Sequence, residues 1–252
     1  MYRNEDKRKK RIIQTILPAC LWIGIWWAAV HAVNGKLLLP IPDPPAAARS
    51  LIAVVRDLSF WKSLSLSALR VVSGFLAAFV TGCVLAAAAR KAPVLRRFFS
   101  PVIRVMRTLP VACFIFVIYL WMSTGMIPGF ISFIMALPPV YENIYEGIGA
   151  VDRDLVEMAR VFGMDGKRRF LHVIIPSLRP FIASSAVSGL GMSWKAGIAS
   201  EIICRPAGSI GNILWSMKTA IDYPGVFAVS VLILAAGIVS EEFLRRVLGG
   251  KR

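Results

Sequence analysis

Long apolar runs decide what this chain can fold into. A helix needs roughly 20 apolar residues to cross the hydrocarbon of a bilayer, and six stretches approach that length: residues 12–33, 64–89, 101–123, 128–150, 177–203 and 223–240. They are too long for barrel strands and lack the two-residue alternation of a barrel wall. With 57% hydrophobic and 17% charged residues, the chain has too little polar surface for an ordinary soluble domain. The expected fold is an all-α membrane protein with about six transmembrane helices. Some runs are interrupted: the third opens with Arg104 and Arg107, the fourth holds Pro138, Pro139 and Glu142, and the fifth holds Lys195.

The net charge of +16 raises the question of a nucleic-acid partner, and the placement of the charge argues against one. Six Lys or Arg precede Ile12, six lie between Arg90 and Arg107, six between Arg153 and Arg179, and four from Arg245 onward, which is 22 of the 30. With a cytoplasmic amino end, six crossings put all four zones on one side, as the positive-inside rule requires. The basic residues therefore read as topology, with the lipid bilayer as partner and both termini cytoplasmic. Acidic headgroups add about 1 kcal/mol of attraction per basic residue near the surface. The domain order expected is a basic amino terminus at 1–11, a first transmembrane helix at 12–33, an external segment at 34–63, a core of five helices at 64–248 and a tail at 249–252.

The cluster Lys7-Arg8-Lys9-Lys10-Arg11 before an apolar run also resembles a secretory signal. A retained first helix is preferred because the run is long for a signal core and contains the bulky Trp22, Trp26 and Trp27. In the external segment, Asp43 followed by Pro44 starts a short interfacial helix, with Ala47, Ala48, Leu51, Ile52, Val54, Val55 and Leu58 at helical spacing. Ser100-Pro101 is a second start signal, and Pro110 is expected to loosen the third helix part way along. Cys20, Cys83, Cys113 and Cys204 show no metal or redox spacing, and His31 and His172 are isolated. No metal and no catalytic residue is expected.

Two stripes of small residues recur every four positions: Gly74, Ala78, Gly82 and Ala86 in the second span, and Ser185, Gly189, Ser193 and Gly197 in the fifth. Such stripes let helix backbones approach closely; close packing is the first reading and a pathway lining the second. Lys195 and Glu201 are charges within or near a span and so are functional candidates. Six residues apart, they point to different helix faces.

Between the fourth and fifth spans lies EMARVFGMDGKRRFLHVIIP, residues 157–176. Val156, Met158, Ala159, Val161, Phe162, Phe170, Val173 and Ile174 suit two short helices broken at Gly163 to Gly166, with Pro176 marking the start of the next span. The topology puts this hairpin in the cytoplasm, where apolar residues among mixed charges make a docking surface.

Glu157, Met158, Ala159, Gly163, Val173, Ile175 and Pro176 resemble the E-A-A, x3, G, x9, I-x-L-P loop of ABC importer permeases, with apolar replacements at Met158, Val173 and Ile175. Ser67-Ala68-Leu69-Arg70-Val71, Gly74-Phe75, Arg107-Thr108-Leu109-Pro110, Trp121, Trp194 and Glu201 are similar to the nitrate, sulfonate, taurine and bicarbonate group. Some relatives there carry a pyrimidine precursor of thiamine. Trp121-Met122-Ser123 departs from the Trp-Phe-Gly of many relatives.

The resemblance implies a type I importer permease (MetI-like) fold in a bacterial plasma membrane, with a coupling helix at 152–176. It places Glu157, Met158, Ala159, Phe162, Gly163, Met164, Asp165 and Pro176 against a separate ATPase, and implies a second copy of the permease and an external solute-binding protein. The chain has no G-x-x-x-x-G-K-S/T phosphate loop, so ATP and Mg are expected in the partner. A secondary transporter would more typically show internal repeats and buried ion-coupling carboxylates, whereas Glu142 and Glu146 fall near the cytoplasmic end of the fourth span. A membrane enzyme would need a cluster of reactive side chains.

Overall fold

The structure is a computed structural model and describes Pro18, residues 21–32 and residues 42–249. The basic amino terminus, the start of the first predicted span, part of the 34–63 segment and the last residues of the tail lie outside the described residues. All regular elements among the described residues are helical. They are α1 (Leu21–Ala32), α2 (Pro44–Arg56), α3 (Leu58–Lys91), α4 (Pro93–Thr108), α5 (Val111–Tyr119) and α6 (Ile127–Ala150). After these come α7 (Arg153–Val161), α8 (Gly166–Arg169), α9 (Ile175–Cys204), α10 (Ile210–Thr219) and α11 (Tyr223–Gly249).

The chain divides into two compact units. In the smaller, which holds α1, α2 and Ser216–Leu232, Trp26 stacks on Phe227 with ring centroids 5.8 Å apart. Helix α2 begins where expected: the Asp43 carboxylate accepts the Ala46 N–H at 2.9 Å and Pro44 occupies the first turn.

The larger unit, Ser59–Trp215 with the chain from Ile233 onward, is built around α6. Twelve of its 24 residues are buried, and both small-residue stripes pack on it. A Cβ added at Gly74 would collide with the carbonyl oxygen of Gly129, and one at Gly82 would lie 2.8 Å from Val140 Cγ1. On α9, a Cβ at Gly189 would sit 3.0 Å from Val140 Cγ2, and one at Gly197 2.5 Å from Ser132 Oγ. Where lipid supplies no hydrophobic force between helices, contacts this close hold the bundle together. The opposite face of α3 carries Val72, Leu76, Val80 and Val84, all exposed. Offset by two residues, or about 200°, from the stripe, this is the face a bilayer covers.

Three helices are long and apolar enough to cross a membrane: α3, the continuous run Gly166–Cys204, and Tyr223–Leu248. The pair α4 and α5 would add a fourth if taken as one broken span. α6 is long enough, at about 36 Å by a rise of 1.5 Å per residue. Its Pro138, Pro139, Glu142, Asn143 and Glu146 lower its hydropathy, which a helix shielded by neighbours can afford.

Three expectations are corrected. The third span does not begin at Ser100-Pro101: α4 starts at Pro93 behind Ala92, and Pro101 lies inside it. Pro110 does more than loosen this helix. Leu109 and Pro110 are both extended, with ψ 135° and 134°, and the axes of α4 and α5 meet at 100°, because the residue before proline avoids the helical region. Pro176 does not open a new helix, since α8 runs through a widened turn at Phe170–Ile174 into α9. There the Ile175 N–H reaches back five residues to Phe170 O, an insertion of the kind that carries a helix past a local irregularity.

Candidate functional site

The hairpin is assembled by local chemistry. Asp152 caps α7, its carboxylate accepting the Asp154 N–H at 2.8 Å. At the other end the Gly163 N–H donates to Arg160 O and the Met164 N–H to Ala159 O, both at 3.0 Å. This paired closure satisfies the orphan carbonyls of a helix end and needs a left-handed residue, which Gly163 supplies with φ 72°. Asp165 then caps α8 by accepting the Arg168 N–H at 2.9 Å. Two capped arms around one left-handed glycine give the turn a defined shape.

That shape sorts the predicted residues. Ala159 is buried, whereas Glu157, Met158, Phe162, Gly163, Met164, Asp165 and Pro176 are exposed. Phe162 is 79% exposed and Val161 81%, and Leu155 joins Met158 on the open surface. A Cβ at Gly163 would meet nothing within 4 Å, so the position requires glycine for its backbone angle and not for space. The result is an apolar knuckle at the tip of a charged hairpin.

Inside the bundle the candidates separate. Gly74, Gly82, Ser185, Gly189, Ser193 and Gly197 are buried between α3, α6 and α9. Ser193 Oγ donates to Ser132 O at 3.0 Å, and Ser132 Oγ donates back to Ser193 O at 3.1 Å, a reciprocal clasp between α6 and α9. Lys195 is exposed and lines a cavity of about 520 Å³ with Ser184, Ser188, Glu241 and Arg245.

Glu201 is fully buried and has partners that sequence reasoning missed. It accepts from Ser67 Oγ at 2.6 Å, from Arg70 Nη1 at 3.4 Å and from the Gly211 N–H at 3.4 Å. Ser67 Oγ in turn accepts the Ile210 N–H at 3.0 Å, and Arg70 Nη2 donates to Ala207 O at 3.1 Å. A second missed pair joins Arg107 Nη1 to Glu142 Oε2 at 2.6 Å. For Arg70 and Glu201 the available signal was a lone arginine in the run 64–89 and a lone carboxylate in the run 177–203. Among the described residues no group of three or more His, Cys, Asp or Glu side chains assembles.

Residues 71–251 match the family described as binding-protein-dependent transport system inner membrane component. The chain belongs to this family. It is 28% identical over 220 residues, 82% of this chain and 78% of the other, to the nitrate import permease protein NrtB of Synechococcus elongatus. It is also 27% identical over 246 residues, 94% and 92% of the two chains, to the aliphatic sulfonates transport permease protein SsuC of Escherichia coli, itself described as putative. To the taurine transport system permease protein TauC of the same organism it is 22% identical over 250 residues, 94% of this chain and 90% of the other. Its fold is that of a solved bacterial ABC transporter chain involved in alginate import, with a TM-score of 0.60 and 98% of both chains covered at 14% identity. The resemblance first carried by the hairpin therefore extends over residues 71–251, an inner-membrane component whose regular elements among the described residues are all helical, with ABC importer permeases as its relatives.

Proposed function

We propose that this permease forms the translocation path of an ATP-driven importer for a small anion, as two copies served by an external solute-binding protein and driven by two ATPase subunits. The observation that carries the proposal is the hairpin, an exposed apolar knuckle whose second arm is continuous with the spanning helix α9. A motor that grips α7 moves a lever rooted in the bundle, because α9 is clasped to α6 at Ser132 and Ser193. Such closure switches the path between two rigid arrangements. ATP and its Mg²⁺ belong to the motor in this scheme, and the permease supplies contact.

An anion is favoured because relatives are named for nitrate, aliphatic sulfonates and bicarbonate, and because Lys195 and Arg245, against the single carboxylate of Glu241, leave one cavity with an excess of positive charge beside two serine hydroxyls. A cation within a spanning helix is stable where it faces a partner or water.

The test is Gly163→Val. A β-branched residue at a left-handed position is strained, so the knuckle changes shape while the bundle stays intact. ATPase co-purification, and the uptake of whichever of nitrate, an aliphatic sulfonate or bicarbonate the unaltered importer carries, should both fall at least tenfold, about 1.4 kcal/mol of lost contact, with the permease still in the membrane. Unchanged values in both assays would remove the coupling role.

A further inference from the structure

Where α3 and α6 end and the hairpin begins, a cavity of about 620 Å³ is lined by Arg90, Arg153, Arg160 and Arg169 against a single carboxylate, Glu157. Its walls thus carry an excess of three positive charges. Arg90 is held in place: its guanidinium lies over the Tyr145 ring at 5.3 Å, Nη1 donates to Tyr145 Oη at 3.4 Å, and a Cβ on Gly149 would come within 2.7 Å of Nη2. Arg153 and Arg160 stand four residues before and three after Glu157 on α7, the spacing at which helix ion pairs form. Yet among the described residues no ion pair within 4.0 Å involves Arg153, Arg160, Arg169 or Glu157.

Planar, permanently charged forks around one space match the chemistry of a phosphate, which accepts several paired N–H donors at once. The remaining wall is apolar, formed by Ile148, Val151, Val156 and Ile174, and the cavity sits where membrane helices end. Basic pockets between helices at that depth suit acidic headgroups. We propose that this cavity binds a phosphate group, of the kind carried by an acidic phospholipid headgroup or by free phosphate, and that the bound group ties α7 to the ends of α3 and α6. The site follows from the helices lying in a bilayer and stands whether or not an ATPase grips the knuckle.

The test uses the full chain in nanodiscs of phosphatidylcholine alone, of phosphatidylcholine with phosphatidylglycerol, and of phosphatidylcholine with inorganic phosphate added at constant ionic strength. The readout is the thermal midpoint, with native mass spectrometry to detect retained lipid. Phosphatidylglycerol should raise the midpoint by about 3 °C, the shift a tenfold-range binding energy gives at this chain length. The variant Arg153→Gln/Arg160→Gln/Arg169→Gln should lose most of that rise, whereas Arg97→Gln, on the exposed surface of α4 and outside the cavity, should keep it. A rise with inorganic phosphate, abolished by the same triple variant, would support the site with the soluble anion as its ligand. No rise in either anionic arm, a full rise in the triple variant, or an equal loss in Arg97→Gln would overturn the proposal. Should the triple variant not fold, Arg153→Gln and Arg160→Gln singly should each reduce the rise, and a full rise in both would overturn it.

Discussion

At the scale of single residues, two glycines of this chain are required for opposite reasons. Gly74 has no room, since a Cβ there runs into the backbone of Gly129, while Gly163 has open space and a forbidden angle. Gly74→Ala should cost about 1–3 kcal/mol through forced displacement of α6, seen as a lower thermal midpoint in detergent. Gly163→Ala should cost about 1–2 kcal/mol of local backbone strain and leave that midpoint nearly unchanged, because the hairpin tip supports little of the bundle. Glu201 offers a sharper case. Glu201→Ala removes the acceptor shared by Ser67, Arg70 and Gly211 and should destabilise the fold by about 3–5 kcal/mol, whereas Glu201→Gln keeps one acceptor oxygen, which can still serve Ser67 and Gly211, and should cost less. Equal losses for the two variants would mean that the charge, and not the hydrogen bonding, matters there. Gly163 was legible from its spacing to Glu157, since a helix end records its geometry locally. The Arg70–Glu201 pair was not, because its members lie 131 positions apart and only folding brings them together.

At the scale of elements, proline shows how far local reading reaches. Pro101, Pro138, Pro139 and Pro180 all sit inside continuing helices, Pro176 follows a widened turn, and Pro110 alone among these coincides with a break of 100°. The residue type is the same throughout, so the outcome rests on what neighbouring helices do for the freed backbone groups. No sequence window contains that information. The apolar runs, the Asp43 cap and the hairpin break needed only nearby residues and were legible. The clasp between α6 and α9 is likewise a tertiary fact. Ser132→Ala and Ser193→Ala should each destabilise by about 0.6 kcal/mol, and by no more than about 1.7, because each leaves behind a backbone carbonyl that its own helix can satisfy. Unfolding in graded denaturing detergent measures this, and losses well above that ceiling would show that the clasp also sets helix register.

At the scale of the whole molecule, the surface and the charge pattern have to agree on how the chain sits in its membrane. Exposed Leu69, Leu76, Val80 and Val84 on α3 and exposed Leu234, Ile238 and Val239 on α11 would be an aggregation hazard in water and are the natural covering of a protein in lipid. Such surfaces place helices across a bilayer without saying which way up. For orientation we propose the one that the segregated basic residues imply, with the hairpin on the side of Arg90 to Arg107 and opposite the start of α3. In that orientation Leu58, 67% exposed, and Phe162, 79% exposed, are expected on opposite sides. In a background with Cys20, Cys83, Cys113 and Cys204 replaced by alanine, a membrane-impermeant maleimide should label Leu58→Cys in intact spheroplasts and Phe162→Cys only in inverted vesicles. Phe162→Cys labelled from outside would reverse the topology and leave the knuckle beyond the reach of any cytoplasmic motor.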